Sequence, residues 1–190
     1  PGAGYALILD AARRSRSEQL YQRAADIALQ SRSGEYALAA AKAWQEDHPQ
    51  LREANRYVLQ ILIALNKVGE TAGPLRQFIE QAPLPNRVGI LSAVPQMYGR
   101  IADKAAAVSA VKEAFKGELE NRSTGAAAWI SLGRLQLAAD DKAGSLQSLA
   151  KSKAMDPAYE GQARLALELM DEGISAAEPF VREYLEKHSN

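Results

Sequence analysis

Residues 126–157, AAAWISLGRLQLAADDKAGSLQSLAKSKAMDP, decide the fold of this chain. They form two runs in which apolar residues recur at helical spacing, separated by a short polar turn. Trp129, Leu132 and Gly133 lie in the first run. Pro157 closes the second run, because a proline cannot continue a helix. The stretch therefore predicts one helix-turn-helix unit, and the rest of the chain resembles imperfect copies of it.

The spacing of prolines predicts how many copies there are. Pro49 and Pro83 are 34 residues apart (83 − 49), and Pro157 follows after 74 more (157 − 83), which is two periods plus six residues. Each proline follows a helical pattern and marks the start of the next unit. We therefore expect a single domain over 1–190, with a leading helix at 1–14 and repeats at about 18–49, 52–83, 86–125, 126–157 and 160–188.

The third predicted repeat is irregular. Pro95 lies inside its first helix and removes the amide bond back to Leu91, which predicts a kink or an early end. Its second helix has Asp103 as a candidate N-cap. Residues 116–125 (KGELENRSTG) are polar, and we expect them to form a longer loop that holds the six extra residues.

These residues and their spacing resemble the tetratricopeptide repeat family. In 126–157 the tryptophan, the Leu-Gly pair and the closing proline match the family pattern, whereas Gln136 replaces the usual aromatic residue and Ser145 the usual alanine. In 18–49, Ala37, Ala41 and Pro49 match. The resemblance implies an all-α fold, a right-handed α-solenoid of antiparallel helix pairs with about five repeats and a leading half-repeat. The Ala-, Leu- and Arg-rich composition resembles that of bacterial members.

The resemblance also implies that the first helices of the repeats line a concave, partner-binding groove. The expected groove residues are Gln22, Asp26, Arg56, Gln60, Ile90, Tyr98, Arg134, Arg164 and Glu168. Their arginines would bind carboxylates of an extended or helical peptide through paired hydrogen bonds. The alternative is a solvated face whose charges have no partner. Gln22 and Asp26 stand where some relatives have a Lys/Asn clamp for a terminal carboxylate, which disfavours chaperone tails.

Composition excludes several other classes of function. Lys+Arg and Asp+Glu both number 23, so the net charge is zero and no global basic field favours nucleic acid. No apolar run approaches the roughly 20 residues that span a bilayer, which excludes direct membrane insertion. The chain has no cysteine, and His48 and His188 are its only two histidines. We expect His48 to stabilise a helix C-terminus. Catalytic, metal-binding and cofactor-binding residues are therefore all predicted to be absent.

Together these patterns predict a non-enzymatic module that binds a partner protein or peptide. The alternative is a structural or self-associating segment of a larger protein, such as one of the cell envelope. The chain begins in the middle of a helical pattern, which predicts that it is a fragment. The sequence leaves open the partner, the oligomeric state and the choice between cytoplasm and periplasm.

Overall fold

A computed structural model describes the backbone of residues 2–188 and the side chains of residues 4–187. Over this part of the chain the protein is all-α, as predicted, and contains no strand. The helices divide into two compact units, Pro1–Ala82 and Pro83–Asn190, which are named unit 1 and unit 2. The grouping into five repeats and the handedness of the solenoid stay predictions.

Unit 1 consists of helices joined by short turns. They are α1 (Gly2–Ser15), α2 (Glu18–Gln30), α3 (Gly34–Asp47), α4 (Arg52–Ala64), a 3-10 turn (Val68–Glu70) and α5 (Ala72–Glu80). Apolar residues three and four apart form the inner faces of α2 and α3, and the buried residues there are Tyr21, Ala24, Ala25, Ala28, Ala37, Ala41 and Trp44. Small side chains let these helices approach closely. Trp44 packs its ring edge against Tyr57 of α4, with 5.4 Å between the ring centroids.

Unit 2 contains the remaining helices. They are α6 (Leu84–Met97), α7 (Lys104–Ala114), α8 (Lys116–Glu120), α9 (Gly125–Ala138), α10 (Lys142–Met155), α11 (Gly161–Asp171), a 3-10 turn (Ser175–Ala177) and α12 (Glu178–His188). The deciding stretch of the sequence thus forms α9 and α10. The turn between them is built by Asp140, whose φ is 62°, and by Asp141, which accepts a hydrogen bond from the amide of Gly144 at 2.8 Å. Asp103 caps α7 in the same way, as predicted.

The expected loop at 116–125 was wrong for its first half, because Lys116–Glu120 form helix α8 and only residues 121–124 lie outside a helix before α9 begins. The sequence of this segment is polar, but one of its carboxylates is buried in the structure. Glu118 is almost fully buried, pairs with Arg87 of α6 at 2.9 Å and accepts a hydrogen bond from Thr124. The partners that stabilise α8 lie outside the helix itself, in α6 and at the start of α9.

Gly133 has a physical reason to be glycine. A Cβ at this position would lie 2.7 Å from Cδ2 of Leu165 on α11 and 3.2 Å from Cβ of Ser148 on α10. The missing side chain therefore lets α9 pack closely against both neighbouring helices. This close approach places the polar side chains of α9 and α11 next to each other.

Pro95 is accommodated through a bond from another helix. The carbonyl of Leu91 loses its usual partner because proline has no N–H. The hydroxyl of Ser131 on α9 donates to that carbonyl at 2.7 Å, and the bond is buried. The predicted early end of α6 was wrong, since the helix continues through Pro95 to Met97 and has 14 residues, as many as α3 and α9. The bond from Ser131 also ties α6 to α9.

Candidate partner-binding groove

An open groove of about 760 Å³ lies in unit 2, between α6, α9 and α11. We call it the unit 2 groove. Its lining residues are Ser92, Pro95 and Gln96 of α6, Arg134, Leu137 and Ala138 of α9, Arg164, Glu168 and Asp171 of α11, and Glu172 directly after α11. Three of the residues predicted from the sequence, Arg134, Arg164 and Glu168, are brought together here.

The carboxylate of Glu168 accepts hydrogen bonds from two arginines. Arg134 donates to it in a bidentate pair, with Nε to Oε2 and Nη2 to Oε1 both at 3.0 Å. Arg164, one helical turn before Glu168 on α11, donates Nε to Oε1 at 3.3 Å. The side chain of Arg134 is 30% exposed and that of Arg164 is 73% exposed. Arg134 is therefore fixed in the wall of the groove, whereas Arg164 offers most of its guanidinium to solvent.

Two carboxylates at the far end of the groove were missed by the sequence analysis. Asp171 lies seven residues after Arg164, a spacing that places both on one face of α11. That spacing was the available signal. Glu172 pairs with Lys142 at 3.1 Å. Asp171 is exposed, and it has no ion-pair partner among the residues that the structure describes.

The prediction of Tyr98 as a groove residue was wrong. Its side chain is fully buried, with 0% exposure. The reason is the register of α6, because Leu91, Val94 and Tyr98 follow one another at spacings of three and four residues and form a single apolar stripe toward the core. Ile90 is half-buried. The exposed side chains that α6 contributes to the groove are instead Ser92 and Gln96.

In unit 1, the predicted residues form a polar cluster across two helices. Gln22 of α2 donates to the hydroxyl of Tyr57 at 3.0 Å, and that hydroxyl donates to Asp26 at 3.1 Å. Burial raises the pKa of the Tyr57 phenol; the bond from Gln22 lowers it and the bond to Asp26 raises it. Tyr57 was not predicted, and it holds Gln22 and Asp26 in place.

The other two predicted residues of unit 1 lie on α4 with Tyr57, and the Arg56 guanidinium lies over the Tyr57 ring, 5.6 Å from its centroid. Arg56 pairs with Glu53 of its own helix, with Nε 2.9 Å from Oε2, and this hydrogen bonding raises the pKa of the guanidinium. Gln60 is exposed. Arg56 is therefore already engaged within α4.

The chemistry of the histidines agrees with a structural role for His48. It is the C-cap residue of α3, and its Nε2 lies 2.9 Å from the carbonyl oxygen of Arg16. The side chain of His188 lies outside the described residues. Among the described residues, no three His, Cys, Asp or Glu side chains form a group that could hold a metal ion. Across residues 2–188 no helix is sufficiently long and apolar to pass through a membrane.

Comparison with known proteins finds similarity at the level of structure. No family model matches the chain, and no curated protein matches it. Solved structures of MamA are similar to the chain in structure. The crystal structure of MamA protein has a TM-score of 0.47 and 16% identity, covering 90% of this chain and 91% of that one. MamA 41-end from Desulfovibrio magneticus RS-1 and the MamA RS-1 ArsTM double mutant each have a TM-score of 0.46 and 15% identity, covering 90% of this chain and 96% of theirs. The function proposed below rests on the residues of this chain.

Proposed function

We propose that this chain is a non-enzymatic protein-interaction module that binds a peptide or protein partner in the unit 2 groove. The observation that carries the proposal is the cluster of Arg134, Arg164 and Glu168 at an open groove. The bidentate pair with Glu168 fixes the Arg134 guanidinium in the wall before a partner arrives, which lowers the entropy lost on binding. Arg164 is held by one bond and leaves donors free for a partner's carboxylate or carbonyl groups.

The neighbouring side chains support binding of a polypeptide. Leu137, Ala138 and Pro95 add apolar surface beside the charged residues, and Gln96 adds an exposed amide that can both donate and accept. Protein interfaces combine apolar contacts with a few placed polar groups in this manner. Such a groove suits a segment of chain with backbone groups to satisfy.

Removing both groove arginines is expected to abolish capture of the partner. The Arg134→Ala/Arg164→Ala variant loses the charged donors, and each such loss at an interface costs about 1.5–3 kcal/mol, so the loss of both lowers the affinity at least about a hundredfold. The measurement is quantitative affinity capture with the full chain as bait. The amount of each captured protein that the double variant recovers is compared with the amount that the wild type recovers.

The matched control is Arg100→Ala/Arg122→Ala, which removes two exposed arginines of unit 2 that do not line the groove. It changes the net charge equally and is expected to leave capture unchanged. If the groove variant and the wild type recover equal amounts of the partner, then the partner does not bind in the unit 2 groove.

A further inference from the structure

Another pocket of unit 2 lies between the start of α11 and α12. We call it the α12 pocket. It measures about 140 Å³ and shares no lining residue with the unit 2 groove. Gln162 and Ala163 of α11 line it and are buried, whereas Pro157, Ala158 and Glu160 of the preceding turn line it and are exposed. The pocket is therefore reached from solvent on the side of this turn.

Three aromatic side chains form walls of the α12 pocket, namely Tyr159, Phe180 and Tyr184. Tyr159 and Phe180 also pack against the buried core of unit 2. Gly161 leaves room for the Tyr159 ring, because a Cβ at position 161 would lie 2.5 Å from Cε1 of that ring. The core thus holds these aromatic walls in place before a ligand arrives.

The charged side chains of the α12 pocket balance one another. Lys153 donates to Oε2 of Glu183, and Lys187 donates to Oε1 at 2.8 Å. These hydrogen bonds lower the pKa of Glu183 to about 2, so this carboxylate is ionised at neutral pH. With Glu160, the charges of the lining sum to zero (+2 − 2). Each lysine ammonium has three N–H donors, and donors remain after the bond to Glu183.

The size and the charge of the α12 pocket indicate what it takes. An apolar cavity of about 150 Å³ accommodates a benzene molecule, so this pocket has the size of a single aromatic ring. Aromatic walls favour such a ring through edge-to-face and offset contacts. The zero net charge favours an uncharged ring, and the remaining lysine donors favour carbonyl oxygens beside it. A phenylalanine residue within a polypeptide supplies both groups, whereas the two-ring indole of tryptophan is larger.

We infer that the α12 pocket binds a phenylalanine side chain of a partner polypeptide, whose adjacent main-chain carbonyl groups accept hydrogen bonds from Lys153 or Lys187. The inference rests on the proposed function in taking the occupant to be a polypeptide, and it adds a second contact site. The two sites are neighbours, because the hydroxyl of Tyr159 lies 3.5 Å from Oγ of Ser92, which lines the unit 2 groove. A chain in the groove can therefore continue past Tyr159 to the pocket.

The test is an NMR titration of the isotope-labelled full chain with N-acetylphenylalanine amide, which carries one ring and two amide carbonyl groups. We expect a dissociation constant of about 1 mM, with shift changes concentrated at residues 157–163 and 180–187. N-acetyltryptophan amide is too large, and benzyl alcohol has the ring without the carbonyl groups. Each of them is expected to bind at least about fivefold more weakly.

A variant that fills the pocket provides the second arm of the test. Ala158→Phe places a ring of the chain itself at the exposed mouth and is expected to weaken binding of N-acetylphenylalanine amide at least about tenfold. The matched control is Ala154→Phe, which changes an exposed alanine of α10 that does not line the pocket and is expected to leave binding unchanged. Circular dichroism establishes that both variants are folded.

No binding up to about 20 mM N-acetylphenylalanine amide, or shift changes elsewhere in the chain, would overturn the inference. Equal affinity for the tryptophan amide or benzyl alcohol, or unchanged binding by Ala158→Phe, would overturn it as well. The proposed function fails separately, when capture of a partner protein does not depend on Arg134 and Arg164. Capture that depends on these arginines, together with no binding in the α12 pocket, would leave the proposed function standing and remove only this inference.

Discussion

Replacing Gly133 with valine is expected to lower the free energy of unfolding by about 3 kcal/mol, since overpacking a close helix contact costs about 1–3 kcal/mol and occasionally more. The added Cβ alone would lie 2.7 Å from Leu165 and 3.2 Å from the Cβ of Ser148. The end of the Leu165 side chain can move, but Ser148 is fixed by its own helix. Two more methyl groups then force α9 away from α10 and α11. Urea denaturation of the full chain, followed by circular dichroism, measures the change.

Gly89 provides the matched control, because it also lies inside a helix of unit 2. A Cβ there meets no atom within 4 Å. Gly89→Val is expected to change the free energy of unfolding by less than about 0.5 kcal/mol, as valine and glycine differ little in helix propensity. Equal destabilisation by the two substitutions would contradict the close packing assigned to Gly133.

Removing the hydroxyl of Ser131 is expected to destabilise unit 2 by about 1–3 kcal/mol, because a buried carbonyl loses its partner. That carbonyl belongs to Leu91 and has no amide donor from its own helix, owing to Pro95. Pro95→Ala supplies the missing amide. In that background Ser131→Ala is expected to cost about 1 kcal/mol less, which a double-mutant cycle measures from denaturation curves.

An exposed serine controls for the loss of a hydroxyl in general. Ser109 donates to the carbonyl of Ala105 within α7, on the protein surface. Ser109→Ala is expected to cost less than about 0.5 kcal/mol. If Ser131→Ala costs the same with and without Pro95, then the bond between α6 and α9 does not compensate for the proline.

The helices were largely predictable because their signals are local. Apolar residues three and four apart mark the inner faces of α2 and α3, and aspartates mark the starts of α7 and α10. Residues 116–120 gave no such signal. Their helix depends on the pairing of Glu118 with Arg87, 31 residues away, and a distant contact leaves no pattern in the local sequence.

The groove was predictable in part, for a related reason. Arg134 and Glu168 are 34 residues apart, one repeat period, so a repeat pattern places them at equivalent positions on neighbouring helices. The position of Tyr98 was not predicted correctly, because Tyr98 continues the apolar stripe of Leu91 and Val94 and is buried in the core. Asp171 follows Arg164 on the same helix face, but its place in the groove depends on how α9 packs against α11.

The most direct test of partner binding in the unit 2 groove is site-specific photo-crosslinking. A photoreactive side chain replaces Gln96 in the groove or, as control, Ser109 on α7, which is exposed and does not line it. The proposed function predicts that the captured partner is crosslinked through position 96 and not through position 109. Crosslinking through position 109 alone, or with equal yield at both positions, would contradict it.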